Sequence, residues 1–556
     1  MVATDRISPR QQAMYVSTDL DEALVAHVSE NTGLRLVLLT GSAGGGKSAL
    51  IRQLQSRLPQ GTISRVVEDA THADSPSERQ TERLAGVLAG FSNGVPPAGD
   101  LTVIAANTGL LLELHREFTE RGQPALADVI AYALHVLGVP GKRSLTEARR
   151  EELGAAVLVV DLDQRPTSGG EGRLLRRMLA GFHPDLPGGV LAGAARCGTC
   201  AVKAWCAPRT NAELLADPQI GAALDEAVEQ IAMRRGRDVA PRQLWDGVSE
   251  LALGGISAEG DPCNSVAGLA GEKDGAAVWQ ALLPNGVFGW AQGALAREIQ
   301  ALDPSFRASS ETHTVIASAG ILPAEDARML EDLLGSADGE ARQAVTTAAS
   351  ALAASSAGEG ARGLVRAHWL MGRLPLGPVV PEEFKEAVSM QDDAREQVIQ
   401  VVSDGLVQAF GQTAERRSYL PTESLGESRD ARVLVQVDVD EHVEVLPQRA
   451  QHFNRQGSRV VGLRPLTARL KIGKSVIDLD LPLYRLLQMA AEGALPATVD
   501  IERFHALRYA AERLGRQQAD NTDLPLLVTD DARGTAFVVT PRHRRGQEQL
   551  KIEKVA

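Results

Sequence analysis

Residues 41–48 read Gly-Ser-Ala-Gly-Gly-Gly-Lys-Ser, and no other stretch of the chain constrains the fold as tightly. The run fills every fixed position of the G-x-x-x-x-G-K-[ST] pattern. Its setting is also the one the pattern needs. The apolar run from Leu34 to Leu39 leads into it, and a helical stretch from Ser48 to Leu58 leaves it. There, glycine permits a tight turn whose backbone N–H groups converge on phosphate oxygens, and the following helix presents its positive end to the same oxygens. The residues expected to hold a nucleotide are Gly41, Ser42, Ala43, Gly44, Gly45, Gly46, Lys47, Ser48 and Ala49. Lys47 is expected to reach the β- and γ-phosphates and Ser48 to ligate Mg²⁺, which makes ATP and Mg²⁺ the expected cofactors.

Ile63 to Val67 and Leu101 to Ala106 are further apolar runs of strand length, with the helical pattern ERQTERLAGVLAGF between them, and Ala155 to Val160 is a fourth. Strands alternating with helices predict a mostly parallel sheet covered on both faces. The predicted fold class is α/β: a P-loop NTPase core with a parallel sheet, a helical lid with insertions, and a small mixed α+β C-terminal domain. With 556 residues, 44 % of them hydrophobic and 23 % charged, the chain is long enough for more than one core. The expected segments are 1–165 for the NTPase core, 166–330 for a helical lid region, 331–455 for a mainly helical domain and 456–556 for the C-terminal domain. The third should end in a hairpin of ARVLVQVDVD with VDEHVEVL, both of which alternate apolar and polar residues. In the last, ARLKIG and SVIDLDL read as strands, LPLYRLLQMAAEG and RFHALRYAAERLG as helices, and LPLLVTDD with TAFVV as a closing strand pair.

A loop of this kind needs an acid at a neighbouring strand end to organise the Mg²⁺ water shell. Asp69, after the second strand, is preferred, with Glu68 as its catalytic companion; Asp161, with Asp163, after the fourth is the alternative. Asn107 follows the third strand and can hydrogen-bond the attacking water or the γ-phosphate, or merely turn the chain in Asn-Thr-Gly. His72 is a further candidate for the same edge, or a structural or exposed histidine. Arg234-Arg235-Gly236-Arg237 and Pro241-Arg242 read as parts of a lid, with Arg242 at a helix start placed to sense the γ-phosphate, or as a surface arginine cluster.

Cys197, Cys200 and Cys206 fall within ten positions, and Cys263 is the only other cysteine. The C-x-x-C spacing suits one corner of a tetrahedral Zn²⁺ site, and four thiolates would complete it. Reduced bystander thiols, a redox pair at Cys197 and Cys200, or an iron–sulfur cluster are the alternatives; the redox pair lacks a strand-to-helix setting. So few cysteines suggest a reducing, cytoplasmic compartment. MVATDRISPR has no apolar core, and charge or glycine breaks every apolar stretch before 18 residues, so neither a signal peptide nor a membrane span is expected. A net charge of −13 argues against non-specific nucleic-acid binding. The tail Pro541–Ala556 is a local exception, with Arg542, Arg544, Arg545, Lys551 and Lys554 against Glu548 and Glu553. It is expected to meet an acidic partner surface rather than DNA.

Taken together, GSAGGGKS, EDATHADSP, LTVIAANTGLL, CGTC…WCAPRTNAELL, RDVAPRQLWD, LLPNGVF, LDPSF and LPLYRLLQMAAEG resemble the F-type component of bacterial DNA-phosphorothioation-dependent restriction systems. The resemblance spans most of the chain. It implies an ATPase that works with two neighbouring partners, the G-type and H-type components, in an anti-phage complex acting on DNA that lacks the sulfur modification. It also implies that Lys47 and Ser48 bind phosphate and Mg²⁺, with Asp69–His72 and Asn107 lining the site. No acid-rich strand end follows Ile104, so the magnesium-organising acid stays open. A nucleotide-binding scaffold with weak hydrolysis is the second reading, and a switch ATPase unconnected to DNA the third. No compact acid–acid–lysine cluster points to a nuclease, and a single P-loop does not make a helicase core. The oligomeric state is left open.

Overall fold

The computed structural model describes residues 14–555, apart from 71–78, 97–98, 100, 140–144, 171, 188, 191–196, 198, 257–261, 319–323, 336–338, 356–358, 377–379, 389–391, 423–430, 447–465, 495–500, 521–522, 531–532 and 545–546. The described residues form a mixed α/β fold, with a parallel four-stranded sheet, abundant helices and a β-rich C-terminal region. They divide into two compact units. One is drawn from Met1–Ala232 and Asp238–Val379, the other from Met233–Arg237, Val380–Gln451 and Pro465–Ala556.

In the first unit the chain runs α1 (Asp19–Glu30), β1 (Leu36–Thr40), α2 (Lys47–Arg57), β2 (Ile63–Val67), α3 (Gln80–Val87), β3 (Leu101–Ala105), α4 (Thr108–Glu120), α5 (Pro124–Val136), α6 (Glu147–Ala156) and β4 (Val157–Asp161). The strand order is β2-β3-β1-β4, all parallel, with Leu38 opposite Ile104 on one side and Val159 on the other. All five residues of β1 are buried, as expected of a central strand covered on both faces. Leu36 and Leu38 pack on one side with Phe118, Ile130 and Leu153. Val37 and Leu39 pack on the other with Leu24, Ile51 and Leu54. Helices α7 (Leu174–Ala180), α8 (Ala207–Ala216), α9 (Pro218–Arg235), α10 (Pro241–Leu253) and α11 (Pro262–Gly271) follow, with further helices to residue 370. Much of this helical region shares one core around Met178, Leu244, Trp279 and Trp369.

The second unit holds a six-stranded sheet, β13-β12-β11-β7-β6-β5, with β5 at Gln412–Ala414, and a three-stranded one, β10-β9-β8. The expected hairpin of residues 431–446 does not form. β7 (Ala431–Gln436) lies between β6 (Arg417–Pro421) and β11 (Leu526–Asp530), whereas β8 (Val443–Leu446) pairs with β9 (Ala468–Ile472) in the other sheet. A two-residue hairpin turn favours glycine or asparagine. The link here is Val437-Asp438-Val439 followed by a 3₁₀ turn at Asp440–His442, and it sends the chain onward. The expected pairs β9 with β10 (Ser475–Leu479) and β11 with β12 (Thr535–Arg544) are present. Residues 541–544 and 547–555 are not a free tail. Pro541–Arg544 closes β12, and β13 (Gln547–Val555) pairs with it antiparallel from Ala536–Val555 to Arg544–Gln547. Alternation in QLKIEKV, with Leu550, Ile552 and Lys554 on one face, is a strand pattern that the basic composition obscured.

Candidate functional site

β1 delivers Gly41 at the carboxyl edge of the parallel sheet, the edge where ligands of open α/β folds collect. Gly41, Gly44 and Gly46 hold φ of 126°, 83° and 91°, values that side-chain-bearing residues rarely adopt. Space is also short at Gly44, where a Cβ would stand 3.0 Å from Cβ of Arg242. Asp163, just beyond β4, clamps the start of this glycine loop. Its Oδ1 accepts from the Ser42 N–H at 2.8 Å and its Oδ2 from the Ser42 hydroxyl at 2.9 Å. Lys47 folds back over the loop and donates to the carbonyls of Gly41 (2.7 Å) and Ser42 (2.8 Å). Burial pulls its pKa below the ordinary lysine value, while Asp163, Asp69 and Asp161 push the other way. A cation held on two carbonyls with three carboxylates nearby is ready to exchange those carbonyls for anionic oxygens.

A cavity of about 430 Å³ lies over this loop, lined by residues 43–49 with Glu68, Asp69, Ala105, Ala106, Asn107 and Arg242. The strand order explains the convergence: β3 is the immediate neighbour of β1 and β2 the next, so their carboxyl ends open onto one side of the loop. The Ser48 hydroxyl donates to the Glu68 carbonyl at 3.2 Å, tying α2 to the end of β2. The Glu68 carboxylate is held by Arg52, at 2.9 and 3.4 Å. Asn107 N-caps α4, its Oδ1 accepting from the Leu110 N–H at 2.8 Å, and its amide N–H₂ makes no hydrogen bond among the described residues. The backbone N–H of Arg242, in the first turn of α10, donates to the Gly44 carbonyl at 3.3 Å.

Of the residues singled out in the sequence, Lys47, Ser48, Glu68, Asp69, Asn107 and Arg242 line this one cavity. Asp161 does not. It accepts from the Asp163 N–H and from Gln164 in its own strand-end turn, and burial raises its pKa. Arg234, Arg235 and Arg237 do not line it either, and they group with the other compact unit. His72 lies outside the described residues.

Comparison with protein-family models, with curated proteins and with solved structures finds no match. The chemistry must be read from the residues alone.

Sequence reasoning missed the clamp by Asp163 and a second cavity, of about 480 Å³, that shares Gly46, Ala49 and Arg242 with the first. A lone acid two residues past a strand end carries no distinguishing signal, and the second cavity draws on residues from 14 to 246. No disulfide joins the four cysteines; Cys197 and Cys206 are half-buried, Cys200 and Cys263 exposed. The Cys206 thiol is pushed up to about 11, by burial first and by the nearness of Cys197, Cys200 and Cys263 as well. Cys206 packs beside Trp205 and Val266, the latter one turn from Cys263 on α11. Among the described residues no group of three or more His, Cys, Asp or Glu side chains is arranged to hold a metal ion. The zinc expectation therefore rests on sequence spacing.

Proposed function

We propose that this chain is an ATPase with a P-loop NTPase core, binding ATP with Mg²⁺ over the glycine loop and hydrolysing it. The observation that carries this reading is the convergence of Lys47, Ser48, Asp69, Asn107 and Arg242 on one cavity above loop residues 43–49. Lys47 supplies charge to the phosphates, and the loop N–H groups supply directed donors. Ser48 and Asp69 are the side chains that would hold Mg²⁺, which when bound neutralises phosphate charge in the transition state. Asn107 donates to the γ-phosphate or the attacking water through its amide N–H₂, and Arg242 answers charge that develops there.

The wider setting is proposed on the sequence resemblance: an ATP-driven part of a cytoplasmic anti-phage restriction complex with G-type and H-type partners. The pairing of Glu68 with Arg52 favours a second reading, a nucleotide-binding scaffold or switch with weak hydrolysis, because the carboxylate beside Asp69 is already neutralised.

Purified Lys47→Ala protein tests the proposal. ATP turnover should be lost with circular dichroism and thermal midpoint unchanged, since among the described residues the Lys47 ammonium bonds only the loop carbonyls of Gly41 and Ser42. Unchanged turnover would remove the assignment.

A further inference from the structure

Three segments frame the second cavity. Ala49, Arg52 and Gln53 present one face of α2, at the i, i+3, i+4 spacing that brings side chains together. Pro241, Arg242, Trp245 and Asp246 do the same from α10, and Met14, Tyr15 and Val16 close a third side with Leu174. Apolar walls and polar tips are the pattern of a site for an aromatic ligand, and about 480 Å³ falls within the range of roughly 300–1,000 Å³ that takes cofactor-sized molecules.

The walls are fixed from behind. Asp21, 1 % exposed, accepts from the Tyr15 hydroxyl and from the N–H and hydroxyl of Thr18 (2.7 and 2.8 Å). The Arg165 side chain, 7 % exposed, donates from Nη2 to the Thr18 hydroxyl (2.6 Å) and to Asp21 (3.3 Å). Its Nε is buried with no hydrogen-bond partner among the described residues, and its Nη1 lies beside Gly46. A buried guanidinium with an unspent donor, held at the end of the glycine loop, points to an acceptor that arrives with a ligand. Trp245 is held by the Phe182 ring, centroids 5.7 Å apart.

We propose that this cavity takes the base and ribose of the nucleotide, with Trp245 walling the base and Arg165 donating to the sugar or the α-phosphate. The inference rests on the reading of the glycine loop as the phosphate site. It adds what that loop cannot supply, because phosphate contacts do not distinguish ATP from a bare polyphosphate. The two cavities meet at Gly46, Ala49 and Arg242, so one molecule spans both, phosphates over the loop and nucleoside beyond it.

Calorimetric titration with ATP and with inorganic tripolyphosphate, both with Mg²⁺, separates the two readings. Trp245→Ala should weaken ATP binding roughly tenfold, the scale of one lost base–aromatic contact, and leave tripolyphosphate binding as it was. Gln53→Trp, which fills the cavity from α2 without touching the core behind Trp245, should do the same. Lys47→Ala should weaken both ligands. Equal ATP binding by wild type and both cavity variants, or parallel losses of ATP and tripolyphosphate in both, would overturn the base subsite and leave the phosphate site standing. Failure of the wild-type protein to bind either ligand would remove both.

Discussion

Asp69 and Asp161 are both aspartates at strand ends, and their surroundings set them apart. Asp69 lines the cavity over the glycine loop; Asp161 is spent on its own turn and is pushed toward the neutral form by burial. Asp69→Asn should therefore cut ATP hydrolysis at least roughly a hundredfold, within the range lost when one charged group leaves such a site, and weaken the Mg²⁺ dependence of nucleotide binding. Asp161→Asn should change turnover by less than about threefold. Initial rates across a Mg²⁺ titration check both, and the reverse ranking would move the acid to β4. Both candidates were visible from their place after apolar runs. Their ranking depends on which strand ends open onto the cavity, and residue identity carries no such information.

Loops between elements are held here by acids drawn from distant helices. Asp225 on α9 accepts from the N–H groups of Gly169 (3.0 Å) and Gly170 (2.8 Å), and its other oxygen is buried without a partner among the described residues. Burial pushes its pKa from 3.8 up to about 6, against the lowering effect of the two glycine N–H groups. A carboxyl whose pKa is higher in the folded than in the unfolded state binds more protons when folded. Its contribution to stability is full below about pH 4 and is lost as pH rises through about 6, by at most about 3 kcal/mol. Asp225→Asn keeps an acceptor for the glycines and cannot ionise. Denaturant unfolding at pH 4.5 and pH 7 should show the variant gaining stability relative to wild type at the higher pH. A constant difference would mean that Asp225 is not charged at a cost. Element boundaries were largely legible: Ile63–Val67 is the expected strand residue for residue, and the helix after the glycine loop starts at Lys47. The 431–446 hairpin failed because alternation reports a strand and says nothing of its partner.

At the scale of the whole chain, the net charge of −13 and the place of the basic C-terminal residues decide what DNA can do. Lys551 is ion-paired with Glu553 on β13, and the strand itself completes an antiparallel pair. The isolated protein should bind duplex DNA weakly at roughly 150 mM salt, and binding should strengthen once its genomic neighbours are added. Gel-shift titration checks this. The control is charge reversal at Arg542 and Lys554, because deleting 541–556 would remove β13. Tight binding by the isolated chain, lost on that reversal, would make it a direct DNA reader. Among the described residues no helix is long and apolar enough to cross a membrane. The expectation of zinc at the cysteines is tested by elemental analysis of protein purified without added metal. About one Zn²⁺ per chain is expected if Cys197, Cys200, Cys206 and Cys263 close on the ion when it binds, and a content near zero would leave four reduced thiols.

By itself the sequence determined the glycine loop, the alternation of strands and helices around it, and the lysine and hydroxyl side chains the loop carries. Each of these is local: φ freedom at Gly41, Gly44 and Gly46, the period of burial along a strand, the chemistry of Lys47 and Ser48. Only the tertiary structure decided that β3 rather than β2 lies against β1, that Asp163 clamps Ser42, and that residues 14–16, 165 and 245 wall one cavity. Those outcomes depend on how crossovers pack onto a shared sheet. The cavity walls come from residues as far apart in sequence as Met14 and Trp245, and the clamp joins Ser42 to Asp163, far beyond the few residues over which a backbone preference or a hydrophobic period extends.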